Sequence, residues 1–428
     1  MSSNSSVLTF WNPEDSTFWK AEGKSIATRN LWISIPALFL SFAVWMVWSA
    51  VVVNLPNVGF TYTTDQLFWL AALPGLSGAT LRIFYSFMVP IFGGRKWTTI
   101  STASLLVPAL GIGFAVQNAS TPYTTMLVLA LLCGFGGGNF ASSMSNISFF
   151  FPKAQKGTAL GMNAGLGNLG VSAVQFVVPL VITASVFGSM AGRPHGGLYL
   201  QNAGFIWVPF VVVATIAAWF GMNDISSAKA SFADQAVIFR RKHNWLMCWL
   251  YLGTFGSFIG YSAALPLLIK SQFPEINAMK FAFLGPLVGA LARPVGGWVA
   301  DKFGGAPVTF WNFIVMALAA FGVLQMLDGP FYAFLGLFIV LFLATGVGNA
   351  STFRMIPIIF NAKEAAAVLG FSSAVGAYGG FFIPKSFGTS IAQTGSPAAA
   401  IIGFIIFYAT CIAMTWWYYS RKNAEVPC

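Results

Sequence analysis

Two arginines occupy positions where a charge is least expected in this 428-residue chain. Arg82 and Arg293 each lie inside a long apolar stretch, and each is followed eleven residues later by a pair of glycines. These pairs are Gly93–Gly94 and Gly304–Gly305. A guanidinium stays protonated in proteins, and a cation in lipid costs about 2.5–3.5 kcal/mol. The same cost at matching points 211 residues apart predicts that both cations face one anion.

The acidic residues sharpen this prediction. All eleven aspartates and glutamates fall in predicted loops or at predicted helix ends, so none is expected at the depth of the arginines. A ligand must then supply the counter-charge, and the planar guanidinium fork favours a small planar oxyanion. A structural arginine that donates to backbone carbonyls at a helix break is the alternative. Because the two arginines occupy matching positions in the chain, anion binding is favoured over this structural role.

Composition places the chain in a lipid bilayer. It is 57% hydrophobic and only 8% charged, whereas soluble proteins are about 25% charged. The net charge of +11 comes from basic residues in short loops, which indicates membrane orientation rather than nucleic-acid binding. Four scattered cysteines and two histidines form no disulfide framework, metal site or nucleophile–base pair. We therefore expect no enzyme activity, catalytic residue, metal or cofactor.

Twelve apolar runs reach spanning length, at least about 18 residues. The predicted units are an amphipathic segment at 1–30 on the membrane surface, six-helix bundles at 31–222 and 244–420, a linker at 223–243 and a tail at 421–428. The linker includes Lys229 and Asp234. The predicted spans are 31–55, 66–91, 97–117, 123–150, 157–187, 203–222, 244–269, 278–303, 306–327, 331–357, 365–390 and 396–419.

Basic loop residues predict the orientation. If both termini are cytoplasmic, the opposite loops hold only Arg193, Lys270 and Lys280 among the basic residues. Because positive charge concentrates in cytoplasmic loops, we predict a multi-pass protein of the plasma membrane with both ends, the linker and the tail inside.

The two halves repeat each other. The stretch Arg82–Gly94 matches Arg293–Gly305, and glycine-rich runs recur in spans five and eleven. Parallel repeats of six spans indicate the major facilitator fold. Small residues at these spacings predict tight helix packing and smooth faces that slide when the halves rock. The glycines concerned are Gly161, Gly165, Gly167, Gly170, Gly370, Gly376 and Gly379.

Other residues are candidates for completing or approaching the site. Asn168 lies within the glycine-rich fifth span, and Phe140 follows a run of glycines. Tyr251, Phe255 and Tyr261 lie along the seventh span, where ordinary packing is the alternative for each aromatic ring. Two further cations are expected near the ends of the pathway: Arg354, with a loop contact or a vestibule role at its mouth, and Lys385, at the outer end of span eleven.

Several segments resemble a known family. The loop Gly297–Gly305, with Asp301 as its acid, resembles a major facilitator motif, although the first half has Pro90 in place of the acid. Almost the whole chain resembles the nitrate/nitrite porter family of that superfamily, the bacterial NarK-type carriers. The resemblance is carried by Gly161–Gly170 and Gly370–Gly380, by LCGFGGGNFASSMSNISFFFPK from Leu132 and by YLGTFGSFIG from Tyr251.

The resemblance implies a function and a set of site residues. We expect a secondary active transporter that exchanges nitrate and nitrite across the bacterial inner membrane by alternating access. Two alternatives stay open. One is nitrate–proton symport, although the core of the chain offers no Asp, Glu or His to carry the proton. The other is transport of another small monovalent oxyanion. The chain is expected to act as a monomer. The implied binding residues are Arg82 and Arg293, the sandwiching Phe140 and Phe255, and the polar Asn168 and Tyr251.

Overall fold

The computed structural model describes residues 6–188, 192–228 and 237–428. Within them twelve helices are long and apolar enough to cross a membrane, which confirms the predicted all-α fold with twelve spans. Linker residues Lys229 and Asp234 lie outside the described residues, as do residues 1–5. The helices are α1 Ser16–Val58, α2 Thr64–Tyr85, α3 Gly94–Ala115, α4 Tyr123–Phe150, α5 Lys153–Val181, α6 Asn202–Gly221, α7 Lys242–Gln272, α8 Ala278–Phe303, α9 Gly305–Gln325, α10 Phe331–Ile359, α11 Ala367–Thr394 and α12 Ala398–Ser420.

Local chemistry determines where several helices begin. Pro152 and Pro330 directly precede α5 and α10, where a fixed φ and a missing N–H do no harm. At the start of α2 the Thr63 side chain accepts from the Gln66 backbone N–H, and the Gln66 side chain accepts from that of Thr63. This reciprocal capping satisfies two of the N–H groups that a helix start leaves without a partner.

The glycine pairs that follow the two arginines have the same backbone conformation. Gly93 and Gly304 have φ values of 89° and 91°, a region that residues with a Cβ rarely enter. Each of these glycines is followed directly by the helix of the next span, α3 or α9. The sequence repeat is therefore also a repeat of backbone geometry.

The helices pair in the same way within each half. In the first half, α1 packs on α5, α2 on α4 and α3 on α6. In the second half, α7 packs on α11, α8 on α10 and α9 on α12. Across the interface α2 packs on α11 and α5 on α8. When six is added to the helix numbers of the first half and subtracted from those of the second, each of these pairs becomes another pair of the set.

The two faces of the bundle are distinguished by the chain ends. Strand β1, Val7–Leu8, pairs in parallel with strand β2, Asp224–Ile225, which follows α6. Lys242 at the start of α7 lies 2.6 Å from the Glu425 carboxylate in the C-terminal tail. Both ends and the linker thus share one face, which we call the terminal side, and the opposite face is the distal side.

The N-terminal segment packs on the protein itself. The Trp11 indole donates to the Phe149 carbonyl at 3.0 Å, and the buried Trp19 ring lies 5.9 Å from the Phe151 ring. Apolar side chains at the terminal ends of α4 and α5 pack around these two rings, and the expected position of the segment at the membrane surface stays a prediction. The segment is also continuous with α1, which begins at Ser16.

Contacts between the halves are concentrated towards the distal side. Lys385 pairs with Asp65 at 2.8 Å, Gln175 donates to the Ser262 carbonyl at 2.7 Å, and Lys270 donates to the Val53 carbonyl. Among the described residues, every side-chain hydrogen bond between the halves lies at the level of Arg82 or further distal. The halves are joined on the distal side.

Candidate functional site

Arg82 lies in the last turn of α2, and the helix breaks directly after this turn. The predicted span 66–91 is interrupted after Tyr85 and resumes as a short helix, Met88–Phe92. The side chain is completely buried. Its Nε donates to the Gly137 carbonyl and its Nη1 to the Ser373 carbonyl, both at 3.0 Å. Nη2 is buried without a hydrogen-bond partner.

These contacts combine both sequence-based interpretations of Arg82. Two carbonyls hold the guanidinium, as the structural alternative expected, and one of them comes from the opposite half. Nη2 nevertheless stays unsatisfied, and an unsatisfied buried polar group costs about 1–3 kcal/mol or more. The carbonyl contacts therefore orient the fork and leave one donor arm without a partner.

Arg293 occupies the matching position on α8 and is less buried. Its Nη2 donates to the Tyr251 hydroxyl at 3.3 Å, and its Nη1 is buried without a partner. Within the described residues, no carboxylate oxygen forms an ion pair with Arg82 or Arg293. Each guanidinium thus keeps its charge uncompensated and one donor arm unused.

Two aromatic rings border the Arg82 guanidinium. The Phe140 and Phe255 rings are nearly parallel, with centroids 6.3 Å apart and planes at 26°. The Arg82 Cζ atom lies 4.7 Å from the Phe140 centroid and 5.3 Å from that of Phe255. One ring comes from each half, so the predicted pair of aromatic walls meets at the interface, beside the charge.

A π-helical turn shapes the wall on α7. The turn covers Leu252–Gly256 and includes Phe255; such turns inside α-helices are frequent at functional sites. The Tyr251 ring stacks on Phe255 with centroids 5.4 Å apart and planes at 10°. Since the Tyr251 hydroxyl accepts from Arg293, these two stacked rings connect the surroundings of both arginines.

Asn168 lies on the interface-forming helix α5. Its side chain is 1% exposed, and its Oδ1 has no hydrogen-bond partner. In the part of the chain that the structure describes, no hydrogen bond joins it to either arginine. Tyr261 points elsewhere: its hydroxyl lies 2.7 Å from that of Tyr408, within the second half.

Two aromatic residues near the arginines were not predicted. The Phe353 ring stacks on Tyr251 with centroids 4.3 Å apart and lies 5.5 Å from the Arg293 Cζ atom. The Trp45 ring lies 5.3 Å from the Arg82 Cζ atom. Neither ring has a spacing that distinguishes it among 43 phenylalanines and 15 tryptophans. Only proximity in space identifies them.

The signature glycines divide into two groups. Gly167 and Gly170 face Leu38 and Phe39 of α1, and Gly376 and Gly379 face Tyr251 and Gly256 of α7, so a Cβ at any of the four would collide. At Gly161, Gly165 and Gly370, in contrast, a Cβ would meet no atom within 4 Å. No neighbouring helix packs against these three glycines in this conformation, and their role in helix packing and rocking stays a prediction.

The remaining cations have partners away from the arginine pair. Arg354 Nε donates to Asp301 at 2.5 Å, and both side chains are well exposed, so α10 contacts the end of α8 on the terminal side. In the first half, where Pro90 stands in place of the acid, Asp224 lies beside Gly93 and accepts from the backbone N–H of Arg95 at 2.8 Å.

Comparisons with known proteins agree with this architecture. A family model of the Major Facilitator Superfamily matches residues 37–384. The nitrate/nitrite transporter NarU of Salmonella typhimurium is 54% identical, over 99% of this chain and 98% of that protein. The probable nitrate/nitrite antiporter NarK2 of Thermus thermophilus is 45% identical over 98% of each.

Solved structures agree at the level of the fold. A D-xylose–proton symporter has a TM-score of 0.74 at 13% identity, over 92% of this chain and 97% of that one. Together with the match over 37–384 and the near full-length relatives, the resemblance inferred from the sequence is confirmed. The chain belongs to the Major Facilitator Superfamily, in its family of nitrate/nitrite transporters.

Proposed function

We propose that this chain exchanges nitrate for nitrite across the bacterial inner membrane by alternating access around Arg82 and Arg293. One observation carries the proposal: two guanidinium groups on matching helices each keep a buried nitrogen without a hydrogen-bond partner. Nitrate and nitrite are small planar monoanions, which suit planar donor forks. Both arginines come from one chain, so the site is complete in a monomer.

The aromatic walls fit a flat ligand beside the charges. A planar group between two rings needs two van der Waals contacts of about 3.5 Å. The Phe140 and Phe255 centroids are 6.3 Å apart, so the slot must widen by less than about 1 Å to admit it. Asn168 and Tyr251 then contribute polar groups at the edge of the anion.

The uncompensated charges explain obligatory exchange. Two guanidinium groups without an anion repel each other, and the repulsion is strong at low effective dielectric. Closing the halves around an empty site is therefore unfavourable. A bound monoanion relieves the repulsion and permits the change of access, so the carrier crosses readily only when loaded.

The distribution of contacts supports access from the terminal side. The halves are joined by Asp65–Lys385 and neighbouring bonds on the distal side, while Gly161 and Gly370 face open space. The excess of basic residues on the terminal side supports its assignment to the cytoplasm. The conformation then corresponds to a carrier that accepts its substrate from the cytoplasm.

Counterflow in proteoliposomes tests the proposal. Vesicles loaded with nitrite should take up labelled nitrate without a proton gradient, and empty vesicles should take up little. Matched vesicles that contain the Arg82→Lys variant should resemble protein-free vesicles. Uptake that requires an imposed proton gradient would replace exchange by symport, and full competition by formate or acetate would replace nitrate by a wider class of monoanions.

A further inference from the structure

A small polar cavity lies between α1, α3 and α4, inside the first half. The space that the centre of a water molecule can occupy there is about 10 Å³, close to the least space, about 10–15 Å³, that holds one water. Hydroxyl side chains make up most of its lining. Among them Ser41 comes from α1, Thr102 from α3 and Ser142 from α4, and all three are buried. The cavity is therefore enclosed by three helices and is polar.

Asn139 of α4 contributes a carboxamide to this lining. Its Nδ2 donates to the Ser41 hydroxyl at 2.8 Å and to the Ser101 carbonyl at 3.3 Å. Because a carbonyl oxygen can only accept, these bonds fix which end of the amide carries the oxygen. The residue is 4% exposed, and among the described residues its Oδ1 finds no hydrogen-bond partner. A buried acceptor of this kind is costly unless some group donates to it.

The hydroxyl groups beside Asn139 have already donated their protons. Ser41 donates to the Ala37 carbonyl at 2.8 Å, and Ser142 donates to the Asn139 carbonyl at 3.2 Å. A hydroxyl has one proton and two lone pairs, so these oxygens can accept a further hydrogen bond but cannot donate to Asn139 Oδ1. The lining, which consists of described residues, includes no carboxylate to balance a cation. The group that fits is neutral and both donates and accepts.

The second half repeats the unsatisfied acceptor. Asn349 of α10 lies 210 residues after Asn139 and is 1% exposed. Its Oδ1 is also buried without a partner in the described part of the chain. Thr352 matches Ser142 at the same offset of 210 residues, and its hydroxyl donates to the Gly348 carbonyl at 2.7 Å. The need for a donor at this position is therefore a property of the repeat and does not depend on one side chain.

We propose that a buried water molecule occupies the cavity and donates to Asn139 Oδ1. Its other hydrogen bonds go to lining hydroxyl oxygens of α1 and α3, so the water ties α4 to both helices. The same segment of α4 carries Gly137, whose carbonyl holds Arg82, and Phe140, whose ring borders the guanidinium. The water thus steadies the helix that positions Arg82. It does so whichever anion is transported, because it lies inside one half.

An experimental structure of the full chain, at a resolution that shows ordered waters, tests this site directly. A density peak should lie about 2.8 Å from Asn139 Oδ1 and within hydrogen-bond distance of a lining hydroxyl. Ala37 also lines the cavity, so the two extra methyl groups of Ala37→Val should fill the space and remove the peak. Well-ordered side chains without a peak would overturn the proposal, and a peak that changes when sodium is replaced by potassium would mean a cation site.

Radiolytic footprinting of the unchanged chain is a second measurement and does not depend on a variant that folds. Ionising radiation converts water into hydroxyl radicals, which oxidise adjacent side chains. Leu38 lines the cavity and is only 1% exposed, so it should be oxidised if a water lies beside it. Leu268 on α7 is equally buried and is not part of this lining. Oxidation of Leu38 well above that of Leu268 is expected, and equal oxidation of the two would contradict the proposal.

Discussion

Lys385 and Asp65 form an ion pair of 2.8 Å that joins α11 to α2, and therefore joins the two halves, on the distal side. The Lys385 ammonium also lies 4.4 Å from the Trp69 ring centroid. Close by, a Cβ at Gly388 would collide with Phe68. The pair lies where the halves must separate if the site is to open to the distal side, so we propose that it acts as a latch of that gate.

Breaking this latch should favour distal opening. Both side chains are about one third or less exposed, so the pair contributes up to about 1 kcal/mol, or a fivefold change in population. Asp65→Asn should raise the labelling rate of a Ser172→Cys reporter by a membrane-impermeant thiol reagent two- to fivefold. The charge-exchanged pair Asp65→Lys/Lys385→Asp should restore the slow rate. An unchanged rate in Asp65→Asn would show that the pair does not hold the gate.

Replacing Arg82 by lysine should abolish tight nitrate binding. The guanidinium uses two nitrogens on the carbonyls of Gly137 and Ser373 and keeps a third without a partner. A lysine amine is a single point donor and cannot reproduce this geometry. We expect at least tenfold weaker binding in an equilibrium nitrate titration. Arg354→Lys is the matched control and should bind normally; normal affinity in Arg82→Lys would reject recognition by the fork.

Removing the Tyr251 hydroxyl should weaken binding through Arg293. In Tyr251→Phe the ring stack with Phe255 remains, but the acceptor that orients Arg293 is lost. A hydrogen bond to a charged group contributes about 1.5–3 kcal/mol, so nitrate affinity should fall roughly tenfold. Tyr261→Phe loses a hydroxyl contact to Tyr408 instead and should leave affinity unchanged. Equal nitrate affinity in Tyr251→Phe and Tyr261→Phe would show that the Tyr251 hydroxyl does not contribute to binding.

The two groups of glycines should respond differently to alanine. At Gly170 a Cβ would collide with the Phe39 carbonyl, and overpacking of this kind costs about 1–3 kcal/mol. Gly170→Ala should therefore lower thermal stability. At Gly161 a Cβ meets open space, so Gly161→Ala should keep the melting temperature but slow counterflow if the halves approach there during transport. Wild-type counterflow in Gly161→Ala would mean that this face never closes.

The sequence alone determined the number of spans, the repeat and the central arginines. Lipid demands long apolar helices, and a buried charge within one is conspicuous, so both features can be recognised locally. The matching glycine pairs added the register of the repeat, and Gly93 and Gly304 indeed have the same positive φ.

Only the tertiary structure decided what surrounds the arginines. Ser373 accepts from Arg82 across 291 residues, and Phe353 reaches Arg293 from another helix. Asp224 accepts from the backbone N–H of Arg95 from a linker far along the chain. These contacts depend on how helix faces meet, and hydropathy does not specify rotation or interhelical pairing. Sequence chemistry thus determined which groups need a partner, and packing determined which atoms provide it.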